Sequence, residues 1–427
     1  MTTHDMNHPP HDNPATLAYP LVGDTAATRA ALERILTEAM LPFWRQDPIC
    51  TADEGYHLHY DAHGRDLGPA PRHLVSQARM VWFFARLARS PYAQPADAQR
   101  AAHGFDFMRR RMLDARHGGF HWTVDAKGNV TDATKHLYGQ AFALFALSEY
   151  IALTDDAEAR SLAAALWRII DAVARDSTHG GYIELWQGDW SPPRNAEVWH
   201  MGAPAGAKTL NTHLHLLEAF TAYLRVQDDA EVAARVDALH EILTGCVVRP
   251  PGALTTDKFT VEWSPRSDRV SYGHDVERAW LLLDACDALR RDRAATIAYS
   301  ERIFDDVLRL GYDHDHGGLF SEGPLGQPAD DRRKHWWPQA ELLIAAAYMY
   351  CATGQPRYAA CFSRTLDWVM RRQVDWSAGD WHRVITPDGH VEGNKADAWK
   401  TAYHAGRAML MCLAMLPVGD AAARLRR

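Results

Sequence analysis

Apolar side chains recur at three- and four-residue spacing along much of the chain, as over residues 137–153 and again over 158–174. A helix turns every 3.6 residues, so such spacing lines one side with apolar groups and predicts amphipathic helices. The helical stretches come in pairs, and a short segment of different pattern separates one pair from the next. A glycine followed by an aromatic or aliphatic residue marks each separator: Gly55-Tyr56, Gly119-Phe120, Gly181-Tyr182, Gly252-Ala253-Leu254, Gly318-Leu319 and Gly379-Asp380-Trp381. The spacing between these glycines runs from 61 to 71 residues. Most are followed by a few strand-like residues and then a turn. Phe120-His121-Trp122-Thr123-Val124 leads to Asp125-Ala126-Lys127-Gly128, and Trp381-His382-Arg383-Val384-Ile385 leads to Thr386-Pro387-Asp388-Gly389. Alternation closed by Asp/Gly turn chemistry predicts a short hairpin. Three copies share an upstream aspartate, namely Asp114, Asp176 and Asp313.

A unit of about 60 residues made of two helices and a hairpin cannot bury its own apolar face, so successive units must stack. Six units predict an all-α (α/α)6 barrel, an inner ring of six helices inside an outer ring, with short β-hairpins and loops at one mouth. An open helical solenoid is the competing arrangement. The 427 residues are 47% hydrophobic and 23% charged, enough to build one large core. Residues 15–427 are therefore read as a single catalytic domain. Residues 1–14, rich in His, Pro, Asn and Asp, are read as a flexible tail. That tail lacks a basic n-region and an apolar h-region, and no apolar run approaches the roughly 20 residues that span a bilayer. The expectation is a cytoplasmic protein with no membrane partner. A formal net charge of −8 supplies no basic footprint for nucleic acid. Cys50, Cys246, Cys286, Cys351, Cys361 and Cys412 are scattered without a C-x-x-C pair, which favours buried free thiols over a disulfide or zinc framework.

Four segments put polar residues on otherwise apolar helices. In Leu210–Ala219, residues Asn211, His215 and Glu218 share one face, a stripe that is costly to bury without a purpose. In Ser271–Trp280, His274 and Glu277 stand one turn apart, where a carboxylate could orient an imidazole and raise its basicity; alternatively Asp275 and Glu277 merely favour a helix N-terminus. Trp399–Arg407 sets Lys400, Tyr403, His404 and Arg407 along one stripe ahead of an apolar run. Lys334–Glu341 sets Trp336 and Trp337 at a helix entrance that tolerates Pro338, and indole faces stack on pyranose rings. The pairs His57/His59, His213/His215 and His314/His316 have ligand-like spacing, but no carboxylate cluster matches them, so no catalytic metal is expected. No G-x-G-x-x-G follows a strand, and no cofactor is expected either.

In order and at these separations, the four segments resemble the N-acylglucosamine 2-epimerase superfamily, especially its cellobiose and mannose 2-epimerase and mannose isomerase branch. The resemblance runs from Pro42-Phe43-Trp44 to Arg407 and rests on Asn211-Thr212-His213-Leu214-His215, Gly273-His274-Asp275-Val276-Glu277, the Lys334–Glu341 segment, and Trp399-Lys400 with Tyr403-His404 and Arg407. It implies the same (α/α)6 barrel and a small reducing sugar as substrate. It further implies His274 and His404 as the two acid/base residues, with His215 and Asn211 beside the C1/C2 oxygens and Glu277 supporting His274. Arg79 would contact sugar oxygens, Trp336 and Trp337 would hold the ring, and Tyr138 would lie near the pocket. One imidazole would remove the C2 proton of an open-chain aldose, giving an enediolate. Return to the other face of C2 yields the 2-epimer, and delivery to C1 yields a ketose. Two rivals remain at this level. A glycoside hydrolase on the same barrel would recruit carboxylates among Asp257, Glu262, Asp275 and Glu277. A non-enzymatic sugar-binding protein would use the tryptophans without the histidines.

Overall fold

The computed structural model describes residues 25–50, 55–195 and 199–416. Helices alternate between two rings. The outer ring begins with α1 (Thr25–Arg34), which runs through a π-helical turn (Ile35–Met40) into α2 (Leu41–Trp44). It continues with α4 (Pro95–Phe107), α6 (Ala157–Ile169), α8 (Ala230–Thr244), α10 (Ala294–Leu310) and α12 (Pro356–Trp368). The inner ring comprises α3 (Leu74–Ala88), α5 (Leu137–Thr154), α7 (Leu210–Val226), α9 (Tyr272–Ala288), α11 (Trp336–Thr353) and α13 (Tyr403–Met415). Each inner helix packs on the next, and α13 packs back on α3, so the ring closes and the open solenoid is excluded.

The two rings use sequence differently. Outer helix α12 buries one side, through Tyr358, Cys361, Phe362 and Leu366. Inner helix α5, expected to be amphipathic, is instead buried at nearly every position from Leu137 to Ile151. Neighbours flank it on two sides, an outer helix covers its back and its front faces the barrel axis, leaving no solvent side.

The six glycine separators all form tight pinches. Isolated bridges join Cys50 to Tyr56, Leu113 to Phe120, Arg175 to Tyr182, Val248 to Thr255, Tyr312 to Leu319 and Val374 to Trp381. The short strand that leads into an inner helix pairs with the following hairpin, as Lys135–His136 does with Leu185–Trp186 and Lys334–His335 with Val384–Ile385. This pairing gathers the hairpins at the end where the inner helices begin, and a bridge from Tyr60 to Ala396 joins the last unit to the first.

Two repeated devices, the first in five units and the second in four, lock the hairpins to the barrel. The fourth residue of an inner helix holds the backbone just after the glycine: Gln77 bonds both backbone groups of Tyr56, Gln140 those of Phe120, and Gln339 those of Leu319. His213 Nε2 accepts the Tyr182 N–H in the same manner. Asp275 accepts from Thr255 and from Arg278, which assigns it to structure. The second device is a buried ion pair. Asp114, Asp176 and Asp313 receive Lys135, Lys208 and Lys334, and the sequence pattern missed a fourth copy, Asp375 with Lys395. Removing one partner of such a pair costs about 3–5 kcal/mol, because the other charge is stranded. Glycine is required where the chain passes closest: at Gly119 φ is +69°, and a Cβ would lie 2.8 Å from Trp190.

All six cysteines are free, but only Cys286, Cys361 and Cys412 are buried. Cys246 and Cys351 are exposed, contrary to expectation, since one lies in the turn after α8 and the other near the outer end of α11. Among the described residues no helix is long and apolar enough to cross a membrane. The expected tail, residues 1–14, lies outside the described residues.

Candidate active site

Counted from the start of each inner helix, the second and sixth residues stand one turn apart on one face. Second positions carry Tyr138, Asn211, Trp337 and His404, and sixth positions carry Arg79, His215, Glu277 and Glu341. Together with His274, third in α9, and Trp336, first in α11, they ring the barrel axis at the hairpin end. A cavity of about 260 Å³ opens there. Its wall includes all nine residues singled out from the sequence: Arg79, Tyr138, Asn211, His215, His274, Glu277, Trp336, Trp337 and His404. It also includes Met201, His335, Arg383 and Trp399, which sequence reasoning gave no role. His335 and Trp399 adjoin recognised segments, whereas Met201 and Arg383 come from hairpin regions whose reach no helical period reveals.

Beneath the cavity floor lies a buried ionic cluster centred on Arg407, which is 1% exposed. Its guanidinium bonds Glu277 (2.6 Å), Glu341 (2.7 Å) and Glu218. Glu341 also accepts from His404 Nδ1 at 2.6 Å and from the Trp280 indole at 3.0 Å. Glu218 also accepts from His215 Nδ1 at 2.8 Å and from the Tyr403 hydroxyl at 2.6 Å. An ionised carboxylate can only accept, so both imidazoles carry their hydrogen on Nδ1 and keep Nε2 as a free base. Burial, reinforced by the Arg79 and Arg407 charges, lowers His404 to about 3 despite Glu341. His215 is likewise held well below the usual histidine range by burial and by the same two arginines. Burial also lowers His274, while Asp257 and Glu341 pull it back up. Resting His404 and His215 are therefore neutral near pH 7.

Arg79 is aimed by its own contacts, donating to the Trp399 carbonyl at 3.0 Å and to the Tyr138 hydroxyl at 2.9 Å, with its guanidinium over Phe142. The Trp337 ring lies 4.8 Å from that of His274 and 5.8 Å from that of His404. Several buried polar atoms of cavity-lining residues have no protein partner: Asn211 Oδ1, His274 Nδ1, Glu277 Oε2 and Trp336 Nε1. Buried polar groups demand partners, so this wall is prepared for a ligand rich in hydroxyls.

Three expectations need correction. Glu277 does not support His274: although both line the cavity, Glu277 Oε1 accepts from Arg407 in the cluster below, and His274 Nδ1 is left unpartnered. Lys400 does not share a helical stripe with His404, since α13 begins only at Tyr403 and Lys400 is paired with Asp380. His213 and His215 cannot act as a ligand pair, because two residues apart on a helix they face different ways, His213 to the hairpin and His215 to the cavity. Among the described residues one trio, Glu277, Glu341 and His404, brings ligand atoms within 4.8 Å of one another. The Arg407 guanidinium already bonds both of its carboxylates, so a cation there would have to displace a cation.

The closed (α/α)6 barrel gathers imidazoles, indoles and an arginine at its mouth over a buried carboxylate cluster, and the relatives that share its sequence place the protein among carbohydrate epimerases and isomerases. Residues 55–408 match the N-acylglucosamine 2-epimerase (GlcNAc 2-epimerase) family, and the chain belongs to that family. It is 28% identical to the cellobiose 2-epimerase of Dictyoglomus turgidum over 92% of this chain and 99% of that one. It is 25% identical to the D-mannose isomerase of Marinomonas mediterranea, covering 84% and 90% respectively. The solved cellobiose 2-epimerase of Spirochaeta thermophila superposes with a TM-score of 0.83 at 30% identity, covering 94% of this chain and 99% of that one.

Proposed function

We propose that this protein is a sugar 2-epimerase that interconverts C2-epimeric reducing aldoses of the mannose/glucose type, with cellobiose-type disaccharides among its substrates. His404 and His274 act as acid and base. The observation that carries this reading is the placement of these two imidazoles, from α13 and α9, on one cavity with the Trp337 indole close to both.

The chemistry follows from the geometry. An open-chain aldose lying against Trp337 presents C2 between the two rings. Neutral His404, its Nδ1 anchored on Glu341, takes the C2 hydrogen on Nε2. The C–H electron pair forms the C1–C2 double bond, and the carbonyl pair moves onto O1. Arg79 and His215 stand in the same wall to meet that charge; His215 would donate only after gaining a proton on Nε2, so Arg79 is the standing donor. His274, which must enter this step as imidazolium, gives its proton to C2 from the other side. The O1 pair re-forms the carbonyl and the C1–C2 pair forms the new C–H bond, yielding the epimer and leaving His404 protonated and His274 neutral until exchange with solvent resets them. Asn211, Trp336 and Tyr138 position the sugar.

A second reading uses the same residues for aldose–ketose isomerisation, with the proton delivered to C1, and likeness to a D-mannose isomerase supports it. Turnover in heavy water distinguishes the two. Epimerisation by two opposed imidazoles places deuterium at C2 of the product, whereas ketose formation places it at C1. Product without carbon-bound deuterium would refute both.

A further inference from the structure

Three buried glutamates share one guanidinium, and their donor counts differ. Glu341 accepts from His404, Arg407 and Trp280. Glu218 accepts from His215, Tyr403 and Arg407. Glu277 accepts from Arg407 alone, through Oε1, while Oε2 is buried without a partner. Donors hold a desolvated carboxylate ionised, so where three share a buried site the least supplied one takes up a proton. Burial and the neighbouring charges of Glu341 and Glu218 push Glu277 well above the ordinary carboxyl range, in the same direction. With Glu277 neutral, the charges of Glu218 and Glu341 are balanced by Arg407 and by Arg79 in the cavity wall.

We propose that Glu277 works as a neutral carboxylic acid and donates the hydrogen on Oε2 to the sugar oxygen that gains charge in the enediolate. This inference rests on the epimerase or isomerase reading above. Glu277 lines the same cavity as His404, and one of its carboxyl oxygens lies within 4.8 Å of an imidazole nitrogen of His404, which places acid and base at the same end of the cavity. No bond to Glu277 breaks. The C2 proton passes to His404, the displaced electron pair ends on O1, and O1 accepts the hydrogen bond from Oε2. A bond that strengthens only as O1 becomes anionic lowers the barrier rather than the ground state. Glu277 is thus a further catalytic residue, acting as a donor where the sequence suggested a support for His274.

The test exploits the geometry of Arg407. In Glu277→Gln the guanidinium requires the amide oxygen in the place of Oε1, which puts the amide NH2 in the place of Oε2–H and preserves the donor. Glu277→Gln is expected to keep turnover within about tenfold of wild type, and Glu277→Ala to lose roughly 10²- to 10³-fold. At pH 7 the infrared spectrum of the wild-type protein should show a protonated-carboxyl carbonyl band that Glu277→Gln lacks. A folded, sugar-binding Glu277→Gln with turnover depressed beyond about 10²-fold would overturn the proposal by showing that an ionised carboxylate is required. So would an infrared difference without that band, a readout that stands even if Glu277→Ala does not fold. Failure of the parent reading looks different: wild-type enzyme would leave no deuterium on sugar carbon, whatever the state of Glu277.

Discussion

Replacing Glu341 by glutamine tests the pairing that makes His404 a base. The carboxylate offers two oxygens to three donors, Oε1 to His404 and Arg407 and Oε2 to Trp280. Glutamine has one oxygen. Turned toward His404 and Arg407, it leaves its NH2 against the indole N–H, stranding one neutral donor at a cost of about 1–3 kcal/mol. The opposite orientation strands the imidazole and the guanidinium, which costs more. The rate effect is larger than the stability effect. Without a carboxylate that can only accept, the imidazole is free to carry its hydrogen on Nε2, the wrong nitrogen for removing a proton. Losing the correct tautomer of an anchored histidine lowers turnover by roughly 10²- to 10⁴-fold, or about 3–5 kcal/mol of barrier. Initial rates of epimer or ketose formation from mannose, glucose and cellobiose, followed by chromatography alongside thermal unfolding, measure both effects. A folded Glu341→Gln enzyme within about threefold of wild-type turnover would refute the assignment of His404 as a Glu341-anchored base.

His404→Ala and His274→Ala should each lower turnover by roughly 10²- to 10⁴-fold while melting cooperatively, and near-normal rates in either folded variant would remove it from the acid/base pair. Exhaustive chelation should leave turnover unchanged, because Arg407 fills the trio of Glu277, Glu341 and His404; a loss restored by one divalent ion would contradict this. Acid should destabilise the fold through its buried neutral histidines. His404, at about 3 when folded and 6.5 when free, takes up no proton in the folded state where the unfolded chain does. Its contribution is intact above pH 6.5 and is lost as pH falls toward 3, by about 2 kcal/mol at pH 5. Urea unfolding at pH 7 and pH 5 should therefore show a smaller loss for His404→Gln than for wild type, and equal losses would refute the claim.

The sequence by itself determined the number of repeats and the residues that meet. Five of the six separator glycines, all but Gly252, hold a left-handed backbone pressed so close to a neighbour that only glycine fits, and paired helices of about 60-residue period have to stack. The nine candidate residues were legible because helical spacing records which side chains share a face, and each falls near the start of an inner helix. Partnership across the barrel was not legible, since helical periodicity relates only neighbours on one helix. Glu277 reads as a partner for His274 three positions before it, yet in space it belongs to Arg407, 130 residues later. His404 finds its carboxylate on α11 and His215 finds its own within α7, choices set by ring closure and side-chain direction. Met201 and Arg383 enter the wall only because strand pairing folds the hairpins over the mouth. Tertiary structure alone decided which of three glutamates is left with a single donor, because burial and charge balance are properties of the assembled barrel and of no segment within it.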